Sequence, residues 1–275
     1  MKFHSKLVVP PHSKVRLKDY DPENTYGYEK GHEATDRDEA LMAKTIKRLD
    51  ELQYTLYAEG KRSLLIVLQG MDTSGKDGTI RHVMSGASPQ SCKVTSFKVP
   101  SSQERAHDFL WRVHQATPEK GNIGIFNRSH FEDVLVVRVH NLLPKSVWSE
   151  RYDEINRFEK YLTENGTTIL KFFLHISKDE QKKRLQARIS DPTKHWKLSE
   201  ADMQERQYWD DYTEAYEEAI GKCSTKHAPW FIIPACHKWF RNLAVSKIVV
   251  ETLDKMDPKY PTPELDIARM KRLLK

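Results

Sequence analysis

Apolar residues follow two alternating rhythms along this chain. Strand-like runs, most of them rich in apolar residues, fall at 63–69, 93–98, 122–127, 167–176 and 230–234. Between them the apolar positions fall three or four apart, the spacing of one helix face. Over Asp36 to Glu59 these positions are Leu41, Thr45, Ile46, Leu49, Leu52 and Leu56, which predicts an amphipathic helix ahead of the first strand. The alternation predicts an α/β fold, a parallel sheet of about five strands with helices on both faces. Ser101 with Glu104 and Ser177 with Glu180 have capping-box spacing, and Ser199 with Asp202 is a weaker third helix start. The polar residues 1–35, with Pro10, Pro11 and Pro22, read as an extended arm before one domain over 36–257 and a tail over 258–275.

Composition narrows the class. A chain of 275 residues, 38% hydrophobic and 31% charged, can bury one substantial core. No segment approaches the ~18 apolar residues of a membrane span. The opening Met1-Lys-Phe-His-Ser lacks the apolar core of a signal peptide, and Cys92, Cys223 and Cys236 are odd in number with no CxxC pair. A soluble, cytoplasmic protein without membrane contact is expected. The net charge of +6 points to a polyanionic partner, and the charge is uneven. Lys178 to Lys197 holds seven Lys or Arg against three acids, whereas Leu198 to Ala219 holds eight acids against Arg206. The first block reads as a binding surface and the second as a solvated face.

The first apolar run leads into Gly70-Met-Asp-Thr-Ser-Gly75-Lys76-Asp77-Gly78, which fits Gly-x4-Gly-Lys between a strand and a helix over Asp77 to Met84. Such a turn lets backbone N–H groups and a helix N-terminus face phosphate oxygens while Lys76 adds a positive charge. Gly70, Thr73, Ser74, Gly75, Lys76, Asp77 and Gly78 are therefore the candidate phosphate-binding residues. Asp77 stands where Ser or Thr commonly binds magnesium. The bland alternative is a glycine turn.

The third apolar run ends in Asn127-Arg128-Ser129-His130-Phe131-Glu132-Asp133. Ligands of parallel sheets bind beyond the carboxyl ends of strands, so Asn127, Arg128, Glu132 and Asp133 are expected beside the phosphate turn. Arg128 suits bridging of phosphate oxygens, and Glu132 or Asp133 could hold magnesium. The alternative is a charged helix start. Downstream, Arg184 and Arg188 lie four apart before Asp191-Pro192, with Lys194, Trp196 and Lys197 beyond. A helical lid over about 178–200 would close these cations over phosphates; an ordinary solvated basic helix is the alternative. His4, His12, His32, His82 and His107 show no metal-ligand spacing, and Cys223 with Cys236-His237 lacks a second close pair.

The order and wording of these motifs, from about Leu49 to Asp257, resemble the second family of polyphosphate kinases. The carrying phrases are Gly70-Met-Asp-Thr-Ser-Gly-Lys-Asp-Gly78, Phe126-Asn-Arg-Ser-His-Phe-Glu-Asp-Val-Leu-Val-Val-Arg-Val139, Lys171-Phe-Phe-Leu-His-Ile-Ser-Lys-Asp-Glu-Gln181 and Pro192-Thr-Lys-His-Trp-Lys197. The resemblance implies a thymidylate-kinase-like P-loop fold, a three-layer αβα sandwich with a helical lid. It implies phosphoryl transfer between inorganic polyphosphate and nucleoside mono- and diphosphates, guanine as well as adenine, with magnesium, or manganese in its place. A homodimer or homotetramer is implied too. Asn127 followed by Glu132-Asp133 is similar to the subgroup that accepts both mono- and diphosphates. Phe131 departs from the family pattern, where Tyr is common, so a hydroxyl contact is expected to be lost.

On this reading Asp72, Lys76, Arg128, Arg184 and Arg188 are the catalytic candidates, and Asp72, Glu132 and Asp133 the metal ligands. An acidic side chain inside an anion cradle becomes useful with a metal present, which is the reason to single out Asp72. Two rivals remain: an ATP-dependent P-loop kinase of a nucleotide or small metabolite, and a non-enzymatic nucleic-acid-binding protein whose basic segment follows a phosphate backbone. The second leaves the Asp72 and Lys76 spacing unexplained, and no nucleic acid is expected.

Overall fold

A computed structural model describes residues 3–28 and 32–274, with backbone alone over 32–39. Helix α1 (Phe3–Leu7) and α2 (His32–Glu59) precede strand β1 (Ser63–Gln69), α3 (Lys76–Val83), β2 (Cys92–Ser96), α4 (Ser102–Arg105) and α5 (Trp111–Gln115). There follow β3 (Ile123–Asn127), α6 (Glu132–Val139), α7 (Lys145–Trp148), α8 (Arg151–Glu164), β4 (Thr167–His175) and α9 (Lys178–Ile189). After α10 (Glu200–Glu205) and α11 (Trp209–Cys223) come β5 (Trp230–Pro234), α12 (Lys238–Met256) and α13 (Ile267–Leu273). The five expected strands lie within two residues of their sequence bounds, and all but the half-exposed β2 are largely buried apolar runs.

The sheet order is β2-β3-β1-β4-β5 and every pairing is parallel. All seven residues of β1 are buried, as a central parallel strand covered on both faces requires. Helices α2, α3 and α12 pack together on one face, and α6, α8 and α11 on the other. The result is a three-layer αβα sandwich. Because β3 and β4 flank β1, the chain reverses its direction of winding beside β1, and the loops after β1 and β3 meet at the crevice this creates.

The arm departs from the sequence expectation. Phe3 and Leu7 of α1, with Val9, Val15 and Leu17, are buried in the main core, and Val8 bridges to Phe231 of β5. Five apolar residues among prolines were enough to dock the segment on α12 and β5, since burying them repays ordering the chain. Residues 1–2 and 29–31, also assigned to that arm, lie outside the described residues. Both capping signals upstream of short and long helices are realised: Ser101 and Glu104 form a reciprocal box, and Ser177 Oγ accepts from the Glu180 N–H at 3.1 Å. Ser199 caps through the Ala201 N–H at 3.1 Å instead of Asp202.

Candidate active site

β1 ends at Gln69, and the chain turns through 70–75 before α3 starts at Lys76. Two turn positions demand glycine. Gly70 has φ +151°, and a Cβ there would meet Leu174 O at 2.8 Å; Gly75 has φ +100°, and a Cβ would meet Arg241 Nη1 at 1.9 Å. Thr73 is also left-handed, at φ 66°, a strain that persists where surrounding contacts enforce it. The enforcing contacts come from below: Arg184 Nη1 donates to Thr73 O and Ser74 O at 3.0 and 3.1 Å, and Arg241 Nη1 to Ser74 O at 3.2 Å. Thr73 Oγ1 and Ser74 Oγ are buried without a hydrogen-bond partner among the described residues. Beside the first-turn N–H groups of α3, they form a set of donors suited to phosphate oxygens. Lys76 Nζ donates to Gly70 O at 2.7 Å, and burial, assisted by Arg128, pulls its pKa down to about 8.

The loop after β3 is stitched to the first by Arg128, whose N–H donates to Leu68 O at 3.1 Å and whose φ is 62°. Its guanidinium reaches Asp72 Oδ1 at 2.9 Å and Glu132 Oε2 at 3.6 Å. Burial opposes that charge, but Glu132 and Asp72 together carry its pKa above the ordinary value. Glu132 Oε1 also accepts from Gln69 Nε2 at 3.1 Å, and Tyr216 Oη donates to Gln69 Oε1 at 3.4 Å, so the end of β1 fixes this carboxylate. Asn127 Nδ2 donates to Asp77 Oδ1 at 2.7 Å. That bond explains the unusual Asp77: it ties the start of α3 to the end of β3. These groups open on a cleft of about 1180 Å³, lined among others by Gly70, Asp72, Asp77, Asn127, Arg128 and Glu132.

Several expected roles change. Asp133 faces the cleft, but Arg151 Nη1 holds its Oδ1 at 3.1 Å and Arg112 Nη2 lies 3.8 Å from its Oδ2. Burial still raises its pKa against those arginines. In this structure the carboxylate is paired with two cations, as Asp72 and Glu132 are paired with Arg128. Among the described residues no three His, Cys, Asp or Glu side chains converge as a metal cage. Asp72 and Glu132, on either side of Arg128, remain a donor pair of the kind magnesium uses with phosphate oxygens and water.

Arg184 does not close from above. It lies beneath the phosphate turn, donating to Thr73 O and Ser74 O and, through Nη2, to Ala235 O at 2.7 Å and Cys236 O at 3.0 Å, with Glu180 on its Nε at 2.7 Å. Four residues along, Arg188 turns to Asp202 at 3.7 Å. The proximal half of the expected lid is thus docked, and Gln181 Nε2 fastens it to Asp72 O at 3.2 Å. Beyond it, the 3₁₀ turn Pro192–Lys197 is exposed. There Lys194 pairs with Asp191 at 2.5 Å, and Lys197 sits 4.9 Å over the ring of Trp196, itself 79% exposed at the cleft. Gly78 lies inside α3 and not in the turn. Phe131 is buried against Trp230, its ring centroid 4.9 Å away, so a hydroxyl at that position would enter the core.

Sequence reasoning missed Arg241, Gln69, Gln181, Tyr216, Arg112 and Arg151. A signal existed for Arg241, a lone arginine inside the apolar stretch of α12. The others join the site through contacts between distant segments, for which one sequence carries no sign. The loop after β2 adds Lys98 and Arg105 to the cleft wall, cations that no motif marks.

Residues 32–261 match the family described as polyphosphate kinase 2. An AMP/ADP-polyphosphate phosphotransferase of Meiothermus ruber is 53% identical over 261 residues, covering 94% of this chain and 96% of that one. An ADP-polyphosphate phosphotransferase of Rhodopseudomonas palustris is 47% identical over 255 residues, covering 88% of each. The crystal structure of a polyphosphate kinase 2 from Arthrobacter aurescens TC1 superposes with a TM-score of 0.94 at 44% identity, covering 100% of this chain and 96% of the other.

Proposed function

The chain belongs to the polyphosphate kinase 2 family, and from that membership we propose that it transfers phosphoryl groups between inorganic polyphosphate and nucleotides, taking AMP to ADP and ADP to ATP. One observation carries the reading at the level of residues. Arg128 is held between Asp72 and Glu132 directly beside a phosphate turn that presents Lys76, two hydroxyls unpartnered among the described residues, and a helix N-terminus.

Phosphoryl transfer asks little covalent chemistry of a protein and much positioning and charge neutralisation. The turn amides, Thr73, Ser74 and Lys76 hold the phosphates of the donor end. Arg128 spans from the donor to the attacking phosphate of the acceptor, its planar fork reaching oxygens on both. Glu132, locked by Gln69, sets where that guanidinium rests. Asp133 keeps Arg112 and Arg151 on the acceptor side of the cleft. Trp196 lines the cleft from the exposed turn that also carries Lys194 and Lys197. Asp72 and Glu132 would hold magnesium, or manganese in its place, which when bound neutralises phosphoryl oxygens.

The test is direct. Purified protein with magnesium, ADP and polyphosphate should form ATP, and AMP with polyphosphate should give ADP followed by ATP in a chromatographic time course. No ATP from ADP, with turnover from ATP to another acceptor, would reject the reading. Lys76→Ala and Arg128→Ala should each reduce kcat by about 10²-fold or more.

A further inference from the structure

A second basic cleft lies at the opposite end of the sheet. It has a volume of about 570 Å³ and is walled by α8, by the residues leading into β5 and by the arm at His12. His227 and Lys226 precede the first residue of β5, whereas Lys76 follows the last residue of β1. In a parallel sheet these are opposite ends of the strands, separated by a strand length of roughly 15 Å.

The lining is dominated by cations. Arg157, Lys160 and Lys226 line it together with the imidazoles of His12 and His227, and Asp153 is the one acidic residue among the lining residues. Positions 153, 156, 157 and 160 share one face of α8, so a regular element holds these groups together. Their charges are lightly compensated: Lys160 reaches Glu164 at 3.7 Å on the surface, and Arg157 Nε donates to the backbone at Asp153 O at 3.3 Å. His227 Nε2 is buried without a hydrogen-bond partner among the described residues, a cost that a ligand oxygen relieves. Asn156 Oδ1 is unpartnered as well among the described residues, while its Nδ2 donates to Lys222 O at 3.1 Å.

We infer that this cleft is a second phosphate-oxyanion site, holding a remote stretch of the same polyphosphate chain whose end reacts at the phosphate turn. The inference rests on the functional reading above. A chain long enough to round the molecule makes its second contact intramolecularly, at a high effective concentration. A short donor makes none. The cleft therefore sets a preference for long donors through KM and leaves kcat alone.

The test uses the full chain with Arg157, Lys160 and Lys226 all changed to Gln. All three are exposed and outside the reacting site, so folding is retained. A control variant changes the exposed Lys44, Lys47 and Lys61 to Gln and removes equal charge elsewhere. KM for long-chain polyphosphate should rise by roughly tenfold in the first variant and stay within about twofold in the control. KM for tripolyphosphate, and kcat with either donor, should match the unmodified protein. An unchanged long-chain KM, or equal rises for both donors or both variants, overturns the second site while the functional reading stands. An unmodified protein without polyphosphate-dependent turnover overturns both.

Discussion

Arg184 Nη1 and Arg241 Nη1 both donate to the carbonyl oxygen of Ser74, at 3.1 and 3.2 Å, so two cations converge beneath the phosphate turn. Arg241 is buried, its other donors go to Asn242 Oδ1, and burial followed by the Arg184 charge pulls its pKa down to about 10. Like charges packed this closely gain when an anion arrives on the other side of the turn. The pair shapes the turn and charges it at once.

Arg184→Ala should therefore lose stability as well as rate. Removing its guanidinium strips the donor from four backbone carbonyls, an expected loss of about 2–4 kcal/mol. Thermal unfolding should fall by roughly 5–10 °C, with polyphosphate-dependent turnover falling in parallel. A variant with an unchanged melting point and lower kcat would restore the picture of a mobile lid arginine.

Gly75→Ala has a sharper expectation. Its Cβ would occupy the space of Arg241 Nη1 and the backbone is left-handed there, so the turn must rearrange. KM for the donor should rise by about tenfold or more. Arg241→Met in the same background removes the clash and should recover part of the lost stability without recovering rate.

Lys76 gives the pH profile. Its ammonium has a pKa of about 8 in the protein without substrate, and a bound polyanion raises it. Donor binding then takes up a proton above that value, so KM for polyphosphate should rise as pH passes about 8 and stay flat below it. The same depressed pKa makes this group's contribution to stability increase between about 8 and the unfolded value, since the unfolded chain holds more protons there. KM measured from neutral to alkaline pH checks the first sign, and thermal unfolding over the same range the second.

The carboxylates should separate by role. Asp72→Asn should raise the magnesium concentration needed for half-maximal rate, whereas Asp133→Asn should leave it unchanged and raise nucleotide KM by releasing Arg112 and Arg151. Titration of rate against magnesium in the two variants decides. Equal shifts would place Asp133 in the metal set.

Glu132→Asn removes a charge from Arg128 while keeping a polar group for Gln69. The AMP-to-ADP preference should move several-fold, by about 1 kcal/mol, more than total activity falls. The ratio of kcat/KM for the two acceptors reads this out.

The sequence alone determined the sheet, the phosphate turn and the loop after β3, because each is a local pattern. Apolar runs of strand length report burial on both faces, and Gly70 and Gly75 report backbone that other residues cannot adopt. The place of Arg128 followed from topology, since the residue after a parallel strand beside β1 must face the crevice. Spacing also set Arg184 and Arg188 on one helix face, yet it could not say which way that face turns. Only the tertiary structure decided that Arg184 lies under the turn, because its partners Thr73, Ser74, Ala235 and Cys236 lie far from it along the chain. Asp133 reads in sequence like Glu132. Its neighbours Arg112 and Arg151 come from other segments, and charge pairing across such distances is fixed by packing, which no local pattern records.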